Sequence, residues 1–451
     1  MKKILLVLFV LVSINVDSQN VMSLYNMRHI PQVTYANPAF IPLGRLNVSI
    51  PYLGSVAGHL GKSDFTIDLE FNQVNGQERL DTEKFLNGLN DENQVYSDFS
   101  IEALYVGFTV GNNYFFLSSN DKIKGDLKFP KEMAYFITEV YEDYGIQDPL
   151  TIDNIEVNYT HYREYGFGWS RKINDKISLG ARFKLLSGII SANSTTSGVF
   201  KGVSLDSISG LADVTIETSG VDNYSDEISN INNIQDFLKS PYFGLTGYNN
   251  YGYAIDLGFD YKINQKIKVS ASVLDLFGNI GWKDNVNNYI VDSVEVNFGT
   301  TDIGDLFQSN SGNGLTDLLD SIVNNTDPTV AQRSFTTTIP TKIMGSFTYY
   351  IVPKLEVTLL GQGEFMTDQF TTRLKIGFQG RFKRFVNYMI SYSIIDERTS
   401  AKNLGVGLAL NLGPVQVYGL IDDVFDPFLF KNSFNPSVRF GLNLTFSRDY
   451  E

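Results

Sequence analysis

Cysteine is missing from all 451 residues, which excludes a disulfide framework, a thiolate metal site and a cysteine nucleophile. Histidine is nearly missing too. His29, His59 and His161 are the only three, and none stands at metal-ligand spacing from another ligand. Positive charge is outweighed, with 36 Lys and Arg against 50 Asp and Glu for a net −14, which argues against the phosphate neutralisation that nucleic-acid binding needs. No Walker loop, dinucleotide fingerprint or EF-hand is written in the chain. Beyond the first residues, no apolar run approaches the ~18 residues required of a membrane-crossing helix. What is plentiful is aromatic and glycine content: 13% Phe, Trp and Tyr, with 38 glycines. That combination is unusual for a soluble enzyme and fits a membrane-spanning β-barrel.

The N-terminus reads as an address. Lys2 and Lys3 precede the apolar run Ile4 to Val12, and Val16 and Ser18 supply small residues before Gln19. This pattern predicts a bacterial secretory signal peptide over 1–18, with no cysteine at the cleavage point for a lipid anchor. An exported chain without apolar helices is then expected to cross its membrane as strands.

Strict alternation supports this. From Phe370 to Phe382, Phe370, Thr372, Leu374, Ile376, Phe378, Gly380 and Phe382 fall on one face, and Thr371, Arg373, Lys375, Gly377, Gln379 and Arg381 on the other. Charges confined to one face over ~10 residues suit a strand between lipid and an aqueous lumen. Fourteen such strands are predicted, at 45–60, 98–110, 113–128, 151–173, 176–192, 250–263, 266–284, 333–351, 354–366, 369–382, 385–396, 402–412, 414–423 and 434–447. The fold class is therefore an all-β, transmembrane antiparallel barrel spanning 45–447. Hairpin turns such as Asn174-Asp175 and Gly413-Pro414 alternate with the long segments 61–97, 129–150, 193–249 and 285–332. Sorting of loops by length predicts short periplasmic turns, long extracellular loops and both termini periplasmic.

Charge follows the same division. Segments 65–97, 129–150, 193–247 and 285–331 are strongly acidic, while basic residues flank the short turns: Arg171, Lys172 and Lys176; Lys262, Lys266 and Lys268; Lys354; Lys383 and Arg384. Acidity on outer loops reads first as solubility, and otherwise as a surface for divalent cations or a protein partner. Asp422, Asp423 and Asp426 beside one outer loop read as rim acids in contact with solvent or lipopolysaccharide-bound cations, with calcium as the alternative. In the last strand, Arg439 to Phe446 resembles the C-terminal signal read by outer-membrane assembly machinery, although Ser447 to Glu451 follow it.

Between the signal and the first strand, 19–44 is irregular and contains Tyr35-Ala36-Asn37-Pro38-Ala39-Phe40. An N-terminal segment ending in Asn37-Pro38-Ala39 before a fourteen-stranded barrel resembles the FadL family of long-chain fatty acid transporters. The resemblance implies that the segment plugs the lumen as a hatch, and that hydrophobic ligands leave sideways at a strand kink. Phe40 stands where the family usually has Gly. The chain also resembles uncharacterised outer-membrane families of Bacteroidota, some of whose FadL-like members serve type IX secretion. Asp206-Ser207-Ile208, Asp292-Ser293-Val294 and Asp320-Ser321-Ile322 resemble O-glycosylation sites of that phylum.

The candidate site residues lie in the lumen, the kinks and the outer cap. Arg182, Lys184, Lys342, Arg373, Lys375, Arg381 and Arg439 are expected to face inward, opposed by Glu356, Glu364, Asp256 and Asp260. Pairing of Gln362 with Arg373 brings Glu364 diagonal to Arg373 and Glu356 diagonal to Arg381. Two readings follow: a basic conduit favouring anions, or the favoured one, an ion-pair network filling a narrow barrel and anchoring the plug. Pro51 and Pro340 stand inside strands and imply a bulge or kink, because proline cannot donate to the ladder. Outer segments carry helical patterns at Asp81 to Leu89, Pro130 to Tyr144, Ile231 to Leu238 and Thr316 to Val323. Met133, Phe136, Ile137, Val140 and Tyr141 form one apolar stripe that must bury on other loops, a greasy ligand or a partner. His161 reads as an interfacial or lumen-edge residue, without the serine a barrel lipase needs.

No cofactor or metal is expected, and no enzymatic activity. The functional expectation is passive uptake of a hydrophobic small molecule across an outer membrane. The alternative is a scaffold whose loops hold a secreted or surface protein, such as a type IX secretion component. Expected partners are outer-membrane lipid and lipopolysaccharide, a hydrophobic ligand or a protein at the outer loops, and not nucleic acid.

Overall fold

The computed structural model describes residues 19–62, 65, 71–74, 77–80, 82–135, 150–204, 207–220, 249–298, 329–365, 370–383, 385–395, 402–422, 424 and 437–448. Its strands are β1 (Gly44–Ser49), β2 (Val56–Lys62), β3 (Phe71–Val74), β4 (Gln77–Leu80), β5 (Glu92–Val110), β6 (Asn113–Pro130), β7 (Leu150–Lys172), β8 (Ile177–Ser204), β9 (Ser207–Ser219), β10 (Asn250–Lys262) and β11 (Ile267–Trp282). They continue as β12 (Val286–Phe298), β13 (Thr329–Ala331), β14 (Phe335–Thr338), β15 (Thr341–Val352), β16 (Leu355–Phe365), β17 (Phe370–Phe382), β18 (Val386–Ile395), β19 (Lys402–Leu412), β20 (Val415–Ile421) and β21 (Ser437–Arg448).

β1 and β2 are halves of one wall strand, because both pair with β21 on one side and β5 on the other. β14 and β15 are likewise halves of one strand beside β11. Counted this way the wall has fourteen antiparallel strands, and pairing of Gly44 with Arg448 through Ser49 with Asn443 closes it. Closure leaves no open edge, which is what a sheet in hydrocarbon requires.

Alternation explains the placement. In β17, Phe370, Leu374, Ile376, Phe378 and Phe382 are exposed while Arg373, Lys375 and Gln379 are buried. The same holds around the wall, where Phe167, Phe183, Leu257, Phe347 and Ile390 point outward and are about half exposed. An apolar outer skin with a polar, buried interior is the inverse of a soluble protein and defines a membrane-embedded barrel. Among the described residues no helix is long and apolar enough to cross.

Two departures from the expected strands have clear causes. β7 and β8 run for 23 and 28 residues, about twice the 9–11 that cross a bilayer. Their upper ends therefore stand clear of the membrane, where β8 pairs with β9 and β9 with β12. Segments 193–249 and 285–332, expected as loops with helices, thus carry strands that extend the wall. The helix expected near 81–89 is present as Thr82–Asn87.

The second departure is in the first wall strand. Ser49 pairs with Asn443 and Val56 with Phe440, so residues 50–55 occupy the space of two partner residues. Pro51 begins this excursion and Tyr52 takes a left-handed φ of 61°. The excursion is stitched to both neighbours: Ile50 N–H donates to Leu442 O at 3.2 Å, Leu442 N–H to Leu53 O at 2.8 Å and Tyr52 N–H to Glu102 O at 2.9 Å. Gly54 is buried, and its carbonyl accepts from Tyr418 Oη at 3.0 Å. A Cβ on Gly441 would overlap that carbonyl oxygen. Gly441→Val is therefore expected to cost about 1–3 kcal/mol through overpacking, read as a lower denaturant midpoint, whereas the open site at Gly419 should tolerate Ala.

Candidate functional site

Residues 19–43 lie inside the barrel. They form a helix, Gln19–Asn26, and a 3-10 turn, Pro31–Tyr35 that begins on Pro31 as its fixed φ allows. The apolar side, with Met22, Leu24, Met27, Ile30 and Val33, packs on inward residues of the wall, among them Met344, Leu360, Met389 and Leu420.

Asn37-Pro38-Ala39 has a defined seat. Asn37 Oδ1 accepts from Ala39 N–H at 2.9 Å, and Asn37 Nδ2 donates to the carbonyls of Phe259 at 3.3 Å and Ala271 at 3.1 Å. Ser170 Oγ donates to Pro38 O at 2.5 Å and Ser272 Oγ to Ala36 O at 2.8 Å. The wall opposite is notched by Gly180 and Gly258, which pair directly across β8 and β10. A Cβ on Gly180 would strike the Pro38 carbonyl, and one on Gly258 would strike Asn37 Oδ1. These two glycines were not among the expected site residues. Glycine inside a strand signals close backbone approach, and that signal was available.

Polar latches hold the rest. Ser23 Oγ donates to Asp422, whose Oδ1 also meets Lys375 Nζ at 2.7 Å. Arg28 pairs with Asp260 at 3.3 Å, which also meets Lys268 at 2.9 Å, and Arg28 stacks over Phe40 at 4.3 Å. Gln32 Nε2 donates to Glu102 at 3.0 Å and to Asn443 at 2.9 Å. Asp422 is thus a buried partner of Lys375 and not a solvent-facing rim acid; Asp423 and Asp426 lie outside the described residues.

The lumenal cations face acids. Arg182 pairs with Glu164, and with Asp256 at 3.5 Å. Lys184 meets Asp256 at 2.7 Å, Asp275 at 2.8 Å and Glu164 at 3.7 Å. Glu364 takes Lys342 at 3.3 Å and Arg373 at 3.4 Å, on the expected register of Gln362 with Arg373. Arg439 is buried and donates to Ser55 Oγ at 2.6 Å. Glu356 pairs in register with Gln379, and Arg381 is half-buried at the inner rim. The arrangement is an ion-pair network, not an unpaired basic stripe. Glu164 and Asp275 join the network beyond the residues expected from the sequence.

Above this network the lumen carries an apolar cluster on the side of β7, β8, β10 and β11, while Lys122 pairs in register with Tyr162 on the β6 side. Tyr162, Leu186, Ala254, Ile280, Trp282 and Ile339 form a buried cluster against which Phe335 packs. Trp282 stacks on Phe335 at 6.0 Å and donates through Nε1 to Thr337 Oγ1 at 2.9 Å. The adjoining wall is irregular. β11 shifts register twice against β10, between Tyr253 and Leu257. Asp275 and Phe277 take left-handed φ of 57° and 60°, and Phe277 is 65% exposed on the outside. Opposite them, Ile339 and Pro340 interrupt the strand between β14 and β15. Pro340 thus occupies a break in the ladder, with Ile339 N–H still donating to Gly278 O at 2.9 Å.

The remaining expected residues separate. Met133 is half-buried at the outer end, where Ala134 packs with Phe65, Leu89 and Val95 and with half-buried Phe85, Leu86 and Phe129. Phe136, Ile137, Val140 and Tyr141 lie outside the described residues, as do the helical patterns at 231–238 and 316–323. Nothing is described of the side chains in the three Asp-Ser-apolar motifs. His161 shares the face of Phe167 and Trp169, buried 3.7 Å from Asp121, which Arg163 holds by two hydrogen bonds of 2.9 Å.

These features define a class: a fourteen-stranded membrane barrel whose lumen is occupied by its own N-terminal segment. Over residues 38–422 the chain matches a family model described as "Family of unknown function (DUF5723)", and the chain belongs to that family. No curated protein matches it. Among solved structures it is similar to a Pseudomonas aeruginosa FadL homologue, at 10% identity and a TM-score of 0.48, covering 97% of this chain and 100% of that one. It is also similar to the Ralstonia pickettii toluene transporter TbuX, at 9% identity and 0.45, covering 92% and 94%. A third is the Pseudomonas putida toluene transporter TodX, at 8% and 0.44, covering 96% and 98%.

Proposed function

We propose that this chain is an outer-membrane barrel for passive uptake of a hydrophobic small molecule, which enters from the long-loop side and leaves sideways through the wall. One observation carries the reading: the axial route is filled by 19–43, whereas the wall is irregular beside an apolar lumenal cluster. Trp282, Phe335 and Leu186 offer a desolvated surface to a ligand descending from the cap around Met133. Below them the ion pairs of Arg182 and Lys184 oppose further descent, since an apolar solute gives those charges no partner. Ile339, itself part of the cluster, and Pro340 then face the break in the wall beside the exposed Phe277.

In this reading 19–43 is the plug and the short turns face the periplasm. The named activities of TbuX and TodX, toluene transport, agree with an apolar cargo. The test is accumulation of a labelled apolar solute by cells carrying the barrel, compared with Ile339→Gln. An amide placed in the cluster without a partner costs about 1–3 kcal/mol, so uptake is expected to fall roughly tenfold. Unchanged uptake in Ile339→Gln would exclude this route.

A further inference from the structure

The short-turn rim carries a charge pattern that the lumen does not use. Four hairpins hold Arg171, Lys172 and Lys176; Lys262 and Lys266; Lys354; and Lys383, all exposed. They join β7 to β8, β10 to β11, β15 to β16 and β17 to β18, which are neighbours around the wall. The hairpin bases therefore form an arc and not a scatter, with Arg45 and Arg448 outside it at the ends of β1 and β21. The turns from β5 to β6 at 111–112 and from β19 to β20 at 413–414 contain none. Within the four basic hairpins Asp175 is the single acid, and none of the seven bases has an ion pair among the described residues.

Backbone hydrogen bonds fix neighbouring hairpins side by side. Lys262 N–H donates to Lys176 O at 2.8 Å, Tyr350 N–H to Lys266 O at 2.8 Å, and Arg381 N–H to Lys354 O at 3.0 Å. The hairpins cannot separate to relieve repulsion, so an anion supplied from outside would be held by several of them at once. The height of the arc says which anion. Ile173, Ile263, Val352 and Phe382, one or two residues from the bases, are 50%, 40%, 51% and 63% exposed on the outer skin. Lys383 Nζ lies 5.7 Å from the Phe382 ring centre. Large apolar side chains directly beside cations mark the level at which hydrocarbon gives way to headgroups.

We infer that this arc is a docking surface for acidic phospholipids, whose headgroup phosphates it collects in the leaflet on the short-turn side. The inference is independent of what passes through the barrel.

The test uses the full chain in phosphatidylcholine bilayers, with spin-labelled phosphatidylglycerol compared with spin-labelled phosphatidylcholine at the protein boundary. Juxtamembrane bases each contribute about 1 kcal/mol, so phosphatidylglycerol is expected to be preferred about fivefold at low salt. The preference should fall towards unity at about 0.5 M salt, where screening shortens to a few ångströms. Lys176→Gln, Lys262→Gln and Lys266→Gln together should remove most of it. Trp282→Ala should leave it intact, so that loss of uptake and loss of lipid preference are distinguishable. Equal association of the two lipids, or a preference untouched by the triple substitution, would overturn the inference.

Discussion

Gly258→Val is expected to leave the barrel closed but open its lumen to ions. The Cβ of any larger residue would occupy the place of Asn37 Oδ1 and lie 2.6 Å from Ala39 N. Neither can retreat. Asn37 is tied to Phe259 O and Ala271 O, and Pro38 O is held by Ser170 and faces the Gly180 notch. Valine is a good strand residue and leaves the ladder of β10 intact, so the strain of overpacking, about 1–3 kcal/mol, falls on the seat of the plug. In planar bilayers the parent chain should show no sustained ion conductance, and Gly258→Val should show long-lived open steps while keeping the folded barrel's migration in gels. A closed Gly258→Val channel would mean that Asn37-Pro38-Ala39 does not hold the plug.

The largest loss of stability is expected from Lys184→Met. Lys184 is the cation shared by Glu164, Asp256 and Asp275, and removing it leaves Glu164 and Asp256 to Arg182 and takes from Asp275 the lysine it pairs with. Breaking a buried pair from one side costs about 3–5 kcal/mol, because the abandoned charge remains desolvated. Methionine preserves most of the side-chain volume, which separates this electrostatic loss from a cavity. Addition of Asp256→Asn should restore part of the stability, since one stranded charge is then gone. Denaturant unfolding from lipid vesicles reads both changes. Additive losses in the double variant would show that Lys184 acts by packing and not by charge.

The sequence made the wall legible because lipid on one face and a polar interior on the other impose a period of two, which Phe370 to Phe382 displays without interruption. It made the lumenal cations legible for the same reason. Their partners were harder. Asp275 stands in a bulge with left-handed φ, where alternation breaks and parity no longer reports the face. Glu164 sits between Arg163, which faces outward, and Tyr165, in a stretch where both faces are polar or aromatic. β9 lies in a segment whose acid-rich composition favours loop, although Val214 and Ile216 are buried between exposed Asp213 and Thr215 and half-buried Glu217. Three alternations are too few to outweigh composition. Asn37-Pro38-Ala39 drew notice as a motif, but its receptor is two glycines that lie 78 residues apart and meet only when β8 pairs with β10.

On the proposed route an apolar solute leaves through the broken wall and not past the plug. Because the native chain has no cysteine, Ser23→Cys with Asp422→Cys, at positions whose side chains touch, offers a clean covalent lock on the plug. The measurement is uptake of a labelled apolar solute by cells carrying this variant, oxidised and reduced, beside Ile339→Gln. Equal uptake in the oxidised and reduced states, with a deep loss in Ile339→Gln, is the expected result. Uptake abolished by oxidation and untouched by Ile339→Gln would contradict it and put the route through the axis of the barrel.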